Sequence, residues 1–179
     1  MEDLSLHILD IAENSTTAGA KNIEIIITEN NENDLLKIEI IDDGKGMTPD
    51  QTQKATDPFF TSRTTRRVGL GLSLLNQAAQ MANGLMEIQS IKGKGTRVSA
   101  TFQLSHVDRQ PLGNMADTII ALIIANPNIN IVYKYERDDH KFVLDTREIK
   151  EKIKGININS TSVISFVRQY IKENTESFS

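Results

Sequence analysis

Three stretches of this 179-residue chain hold side chains suited to a polyanion and a divalent cation. In the first, Asp10, Asn14 and Thr17 share one narrow wedge of a helical projection drawn at about 100° per residue, with Leu6 on one shoulder and His7 and Ile11 on the other. A carboxylate and an amide oxygen one turn apart suit a hydrated Mg²⁺ and a water to be activated, because magnesium takes oxygen ligands and keeps several waters. Polar groups between apolar shoulders are costly to bury alone, so the wedge must face a partner, water or a ligand. The second stretch is Asp42-Asp43-Gly44-Lys45-Gly46-Met47. Its glycines allow positive φ or close backbone approach, and a carboxylate there could accept a hydrogen bond from an exocyclic amine such as that of adenine. An ordinary tight turn would use the same residues. The third runs from Phe59 to Gly71 (FFTSRTTRRVGLG) and carries Arg63, Arg66 and Arg67, four hydroxyls and a glycine pair, Gly69 and Gly71, leading into a helix. Unpaired N–H groups and partial positive charge at a helix N-terminus attract phosphate, and guanidinium forks match it geometrically. The Gly-Lys-Ser/Thr of a Walker loop is missing, so this is a polyanion site of another kind.

These stretches need elements to position them. Leu4, Ile8, Ile11 and Ala18 recur at helical spacing, and Gly19 stops the helix. Residues 22–28 and 35–41 read as β-branched strands joined by the turn-forming run 30–34, a hairpin that delivers Asp42 at its exit. A short helix is expected over 49–56, ended by Pro58, and a longer one over 72–81 that stops at Asn83-Gly84. A second strand pair, 85–90 and 96–104, flanks Lys92-Gly93-Lys94-Gly95. Residues 1–104 thus read α-β-β-loop-α-β-β, a sheet with helices on one face. A linker is expected over 105–113, followed by a small αββα extension over 114–179: an apolar helix over 114–125, strands over 129–135 and 141–144, and an amphipathic helix over 163–172. The extension's apolar helix must cover the sheet, a second copy or a partner.

Composition narrows the function. Hydrophobic residues make up 39% and charged residues 25%, enough apolar material for a real core. The net charge of −4 lies within residues 1–104 and the rest is neutral, which argues against nucleic-acid and membrane surfaces as partners. Cysteine is absent, excluding disulfides, thiol catalysis and zinc–thiolate sites. No signal-peptide pattern opens the chain, and the longest apolar run, 119–125, is too short to span a bilayer, so a cytoplasmic location is expected.

Taken in order, the motifs resemble the GHKL ATPase superfamily, which includes gyrase B, the ninety-kilodalton heat-shock chaperone, sensor histidine kinases, mismatch-repair MutL and anti-sigma serine kinases. Asp10 to Ser15 with Ala18-Gly19-Ala20 resembles its N box, in wording closest to MutL. Residues 42–47 match the first glycine box, 57–63 the phenylalanine box of histidine kinases, and 69–72 and 93–96 the second and third glycine boxes. The whole chain resembles stand-alone ATP-binding proteins encoded near iron-only hydrogenase genes. The resemblance implies an α+β two-layer sandwich of the Bergerat (GHKL ATPase) type over 1–104, carrying the extension. It also implies ATP and Mg²⁺ as cofactors, with Asn14 as the magnesium ligand and Asp42 on the adenine amine. Gly44, Gly46, Met47 and Thr96 would line the adenine pocket. Phe59, Thr61, Arg63, Arg66, Arg67, Gly69, Leu70, Gly71 and Leu72 would contribute from the lid and the helix behind it. Asp10 stands where hydrolysing members carry a glutamate base, and a shorter carboxylate predicts slow hydrolysis. Arg67 replaces the usual first glycine of the second glycine box.

Met1 lies just ahead of the N box, so a complete single-chain sensor kinase is not expected. His106, Arg109, Pro111 and Leu112 repeat the offsets of a kinase phosphoacceptor box. A phosphoacceptor histidine needs an acidic neighbour on an exposed helix, whereas here Val107 adjoins His106 and a strand has just ended, so phosphorylation there is not expected. His7 is expected to be packed or bonded to backbone, and His140 to face solvent. Three activities remain open: an ATPase, a kinase acting in trans on a protein partner, and a nucleotide-sensing module with negligible turnover. A protein partner or a homodimer is expected in each case.

Overall fold

Asp3 begins the first helix by accepting the Leu6 amide, and the computed structural model, which describes residues 3–57 and 70–176, runs it as α1 over Leu4–Thr17. The amides of Leu4 and Ser5 donate to the carbonyls of Pro111 and Leu112, so the expected linker region satisfies N–H groups that a helix start leaves without partners. Leu4, Ile8, Ile11 and Ala12 are buried, as their spacing requires. The hairpin follows as β1 (Asn22–Asn30) and β2 (Leu35–Asp42), antiparallel with Ile25 opposite Ile40. Next come α2 (Pro49–Lys54), started by a Thr48–Gln51 capping box, and α3 (Leu70–Met81). Then β3 (Met86–Ile91) and β4 (Gly95–Gln103) form the second antiparallel pair, with β4 laid against β2.

The remaining elements are α4 (Met115–Ala125), β5 (Asn130–Arg137), β6 (His140–Asp145), α5 (Thr146–Lys152) and α6 (Thr161–Thr175). Helix α5 was not expected: its seven residues, TREIKEK, show too little apolar periodicity to mark it. It forms because Asp145 caps it and the Thr146 hydroxyl accepts the Ile131 amide at 2.9 Å. Strand β5 pairs in parallel with β1, so the six strands make one mixed sheet in the order β3-β4-β2-β1-β5-β6.

One face of this sheet is apolar across all six strands except at one end. Ile23, Ile25 and Ile27 on β1, Ile38 and Ile40 on β2, Ala100 and Phe102 on β4, and Tyr133 on β5 are all buried. Helices α3, α1, α4 and α6 lie side by side over it, giving an α+β sandwich of two layers with the core between them. Each isoleucine buried here is worth roughly 1.5–3 kcal/mol, so the face pins the strand register firmly. The opposite face is polar and laced with ion pairs, among them Glu39 with Lys37 and Arg97, and Glu24 with Lys134. Among the described residues no helix is long and apolar enough to cross a membrane.

Candidate functional site

At one end of the sheet the apolar face gives way to polar side chains. Ser90, Thr96 and Asp42 are direct cross-strand neighbours on β3, β4 and β2. By alternation they point the same way as Ile88, Val98 and Ile40, toward the helices. Helix α1 passes above them. The Ser15 hydroxyl donates to Asp42 Oδ2 at 2.6 Å, and the Gly44 amide donates to Asp42 Oδ1 at 2.9 Å. The carboxylate is therefore held from two sides, which fixes its direction before any ligand arrives.

The loop after β2 is tied down along its length. The Lys45 amide donates to the Ala18 carbonyl and the Gly93 amide to the Lys45 carbonyl. Asp43 turns away from the site and accepts the amides of Lys21 and Asn22 and the Asn22 side-chain amide. Partial burial pushes the Asp43 carboxyl up, but these hydrogen bonds outweigh it and hold the group below its ordinary value. Gly46 has φ +64°, and a methyl group there would stand 2.1 Å from the Ile91 carbonyl oxygen, so the residue must be glycine for the two loops to meet.

A cavity of about 300 Å³ opens between α1, this loop, α2 and the start of α3. Asn14, Asp42, Gly46, Met47, Leu72 and Thr96 are on its wall, and all six were singled out from the sequence. Gly44 is buried behind the wall and acts through Asp42. Asp10 is exposed one turn before Asn14. Gly71 is packed against it, so closely that a methyl group on Gly71 would be 2.9 Å from Asp10 Cβ. Leu70 opens α3, is exposed, and stands off the wall. Phe59, Thr61, Arg63, Arg66, Arg67 and Gly69 lie outside the described residues.

Among the described residues no cluster of three His, Asp or Glu side chains could hold a metal ion. A magnesium ion bound on ligand phosphates, with the Asn14 amide oxygen as its protein ligand, fits that donor set.

Several contributors were not expected. Ser15 sits in the buried stripe of α1 four residues after Ile11; a hydroxyl in that stripe requires a partner, and this was the available signal. Ser90 occupies an inward position of β3, where alternation places Met86 and Ile88, and it accepts the Met47 amide at 2.8 Å. Lys45 and Gln51 also line the cavity. The histidines stand apart from it. His7 is packed, as one of its two expected environments had it, and its Nε2 meets the Gln110 side chain at Oε1, 3.0 Å away, with no backbone partner needed. His106 is half-buried in a turn, its Nδ1 accepting the Asp108 amide, and His140 is exposed. A second cavity, of about 500 Å³, lies between β6, α5 and α6 around Phe166 and Tyr170 and contains none of the residues singled out above.

The family model described as histidine kinase-, DNA gyrase B-, and HSP90-like ATPase matches residues 2–106. The non-motile and phage-resistance protein of Caulobacter vibrioides is 31% identical over 98 residues, covering 52% of this chain and 12% of that protein. The histidine protein kinase SaeS of Staphylococcus epidermidis is 31% identical over 108 residues, covering 58% of this chain and 30% of that one. This chain thus corresponds to less than a third of the length of either relative. The crystal structure of the N-terminal domain of a DNA repair protein superposes with a TM-score of 0.59 over 98% of this chain and 57% of its own, at 18% identity, which establishes the shared fold. With the motifs in order, the family model spanning more than half of the residues, and the cavity formed where those motifs meet, the chain belongs to the histidine kinase-, DNA gyrase B- and HSP90-like ATPases.

Proposed function

We propose that this chain binds magnesium–ATP in the cavity under α1 and transfers or releases its γ-phosphoryl group slowly, in a regulatory role read by a protein partner or a second copy. The observation that carries the reading is Asp42: a carboxylate on the cavity wall, aimed by Ser15 and Gly44, suited to accept from the purine amine. Asn14 would ligate magnesium, whose chemistry is to neutralise charge on the phosphates. Asp10, on the same helical face one turn earlier, would take the proton from an attacking water or a partner's side chain. Gly71 lets α3 approach Asp10 closely, and this supports placing the phosphates between α1 and the start of α3. Arg63, Arg66 and Arg67, in the segment that precedes α3, would stabilise phosphate charge, and the nucleotide-bound surface there would be what a partner reads.

A thermal-shift series with ATP, ADP, GTP and magnesium tests binding, since a ligand that prefers the folded state raises the melting temperature by mass action. ATP with magnesium should give the largest rise, and no rise with any adenine nucleotide would overturn the assignment. Phosphate release by the chain alone that disappears in Asp10→Asn would identify an ATPase. Label transferred only to an added partner would identify a kinase in trans. Tight binding without either would leave a nucleotide sensor.

A further inference from the structure

Strands β3 and β6 lie at the edges of the sheet, and the outer side of β6 carries no strand among the described residues. Its backbone can be assigned group by group. Arg137 and His140 flank the two-residue turn Asp138-Asp139, so they form a hydrogen-bonded pair, and alternation makes Tyr135–Phe142 and Tyr133–Leu144 the next two. Strand β5 agrees with this. At its start the Asn130 amide donates to the Lys21 carbonyl on the β1 side, whereas the Ile131 amide, turned toward β6, donates to Thr146 Oγ1. The N–H and C=O groups of Lys141, Val143 and Asp145 therefore point outward along the open edge.

The side chains of these three residues lie on the polar face of the sheet, in the order cation, apolar, anion. A strand reversed about a two-fold axis through Val143 offers the same order backward. Val143 then meets its copy, Lys141 faces the partner's Asp145, and the outward backbone groups of both strands all find partners. The neighbouring registers leave backbone groups unpaired and set a charged residue against valine. Lys141 is open to such a contact, since its pair with Glu136 is loose at 3.7 Å, and Asp145 shares its corner with Arg147 and Glu148, which leaves that corner net negative. The β3 edge does not match itself in this way: its exposed positions are Glu87, Gln89 and Ile91, and reversing them sets Glu87 against Ile91. On the helix side of β6, Phe166 is exposed and stacked on Tyr170 with ring centres 5.8 Å apart, and Tyr170 meets Phe142 edge-on at 5.3 Å. Val143, Phe166 and Tyr170 thus put apolar surface on both sides of the open strand, around the cavity of about 500 Å³, and a second strand at this edge would cover it.

We propose that two copies of this chain join edge to edge through β6, antiparallel and with Val143 opposite Val143, so that their sheets become continuous and the Phe166–Tyr170 flanks of α6 face each other across the two-fold axis. The self-matching row Lys141, Val143, Asp145 is what selects a second copy over an unrelated strand. The assembly does not depend on what occupies the cavity under α1.

The test is sedimentation equilibrium of the full chain, which at about 100 μM should give the mass of a dimer. Val143→Pro removes an outward N–H while leaving the bonds to β5 in place, since proline is tolerated on the open side of an edge strand. It should keep its circular dichroism spectrum and sediment as a monomer. Lys141→Glu sets like charges against each other twice across the axis and should weaken the dimer by about tenfold or more. Asp145→Lys does the same from the other side, although it also removes the cap of α5. Mixing these two charge variants restores both opposite-charge pairs, so a heterodimer tighter than either homodimer should form. A merely structural role for the two residues would not produce that rescue. A monomeric wild-type chain, a dimeric Val143→Pro or the absence of rescue on mixing would each overturn the proposal. A monomeric chain that takes up a labelled peptide of residues 140–145 would assign the edge to an extended segment of another protein, and would overturn the second copy equally. Thermal shift with magnesium–ATP is read separately, so a monomer that binds nucleotide overturns only the assembly, and a dimer that binds none overturns only the nucleotide reading.

Discussion

Asp42 is the residue on which the site turns, and its worth depends on two neighbours. Without Ser15 the carboxylate loses a donor at 2.6 Å and can rotate away from the direction in which we propose it meets the purine amine. Ser15→Ala is expected to weaken ATP by about three- to tenfold, the equivalent of roughly 0.5–1.5 kcal/mol for one hydrogen bond. Titration calorimetry measures this directly, and unchanged affinity would show that Gly44 alone suffices to aim the carboxylate. Asp42→Asn should cost considerably more than Arg66→Ala. The first removes a charged acceptor serving one purpose, worth roughly 1.5–3 kcal/mol, and the second removes one of three arginines in a single segment, for which roughly 0–1 kcal/mol is usual. Equal losses would place the purine elsewhere. Asp42 was legible from its motif, whereas Ser15 was passed over because its hydroxyl points into the buried stripe and not into the polar wedge.

Among the elements, the loop between β2 and α2 does most to shape the site, and its backbone allows little change. Gly46→Ala forces a left-handed backbone on a residue with a side chain and drives a methyl group into the Ile91 carbonyl, which cannot swing aside. A loss of a few kcal/mol is expected in urea unfolding, against about 1 kcal/mol for Gly155→Ala, where φ is also positive at +83° but no atom lies within 4 Å of the new methyl. Similar losses for the two would mean that the loop gives way easily.

The connecting turns also set the response to acid. Asp34, bonded to Ser105 and Gln103, and Asp138, bonded to Asn31, titrate below their ordinary values, as does Asp43, where hydrogen bonds outweigh burial. A carboxyl whose folded pKa is depressed contributes stability that is fully present above its unfolded pKa, near ~3.9 for aspartate, and that is lost as pH falls through the folded value. Denaturant midpoints should therefore be insensitive to these groups between pH 7 and 5 and fall below about pH 4, with a shallower fall in Asp43→Asn. An equally steep fall in that variant would show that its hydrogen bonds do not couple to folding. The hairpin and its turn were readable from β-branched runs and Asn/Asp clusters, but the bond from Asn31 to Asp138 joins turns far apart in the chain and has no local sequence signature.

For the whole molecule, the decisive contact is the parallel pairing of β5 with β1. It makes β1 an interior strand, and α4 covers the flank of α1 that α3 leaves open. A chain ended after residue 113 would expose the paired edge of β1 and the apolar side of α1 together. It is expected to lose cooperative unfolding or to aggregate, while the full chain unfolds in one transition. A soluble, cooperatively folded 1–113 fragment in calorimetry would show that the helices and strands beyond it add little.

The sequence by itself determined the elements other than α5 and the chemistry available to them, because periodicity, turn residues and short motifs are local and each is governed by a few neighbouring residues. Helix α1 with Asn14, the hairpin ending in Asp42, and the glycines around the cavity all followed from that. Only the tertiary structure decided that β5 runs parallel beside β1, that Ser15 aims Asp42, and that Ser90, Thr96 and Asp42 fall in one row. Those facts depend on strand register and on hydrogen bonds between residues distant along the chain. Such pairings are selected by burial of the shared apolar face, a property of the assembled sheet that no single segment contains.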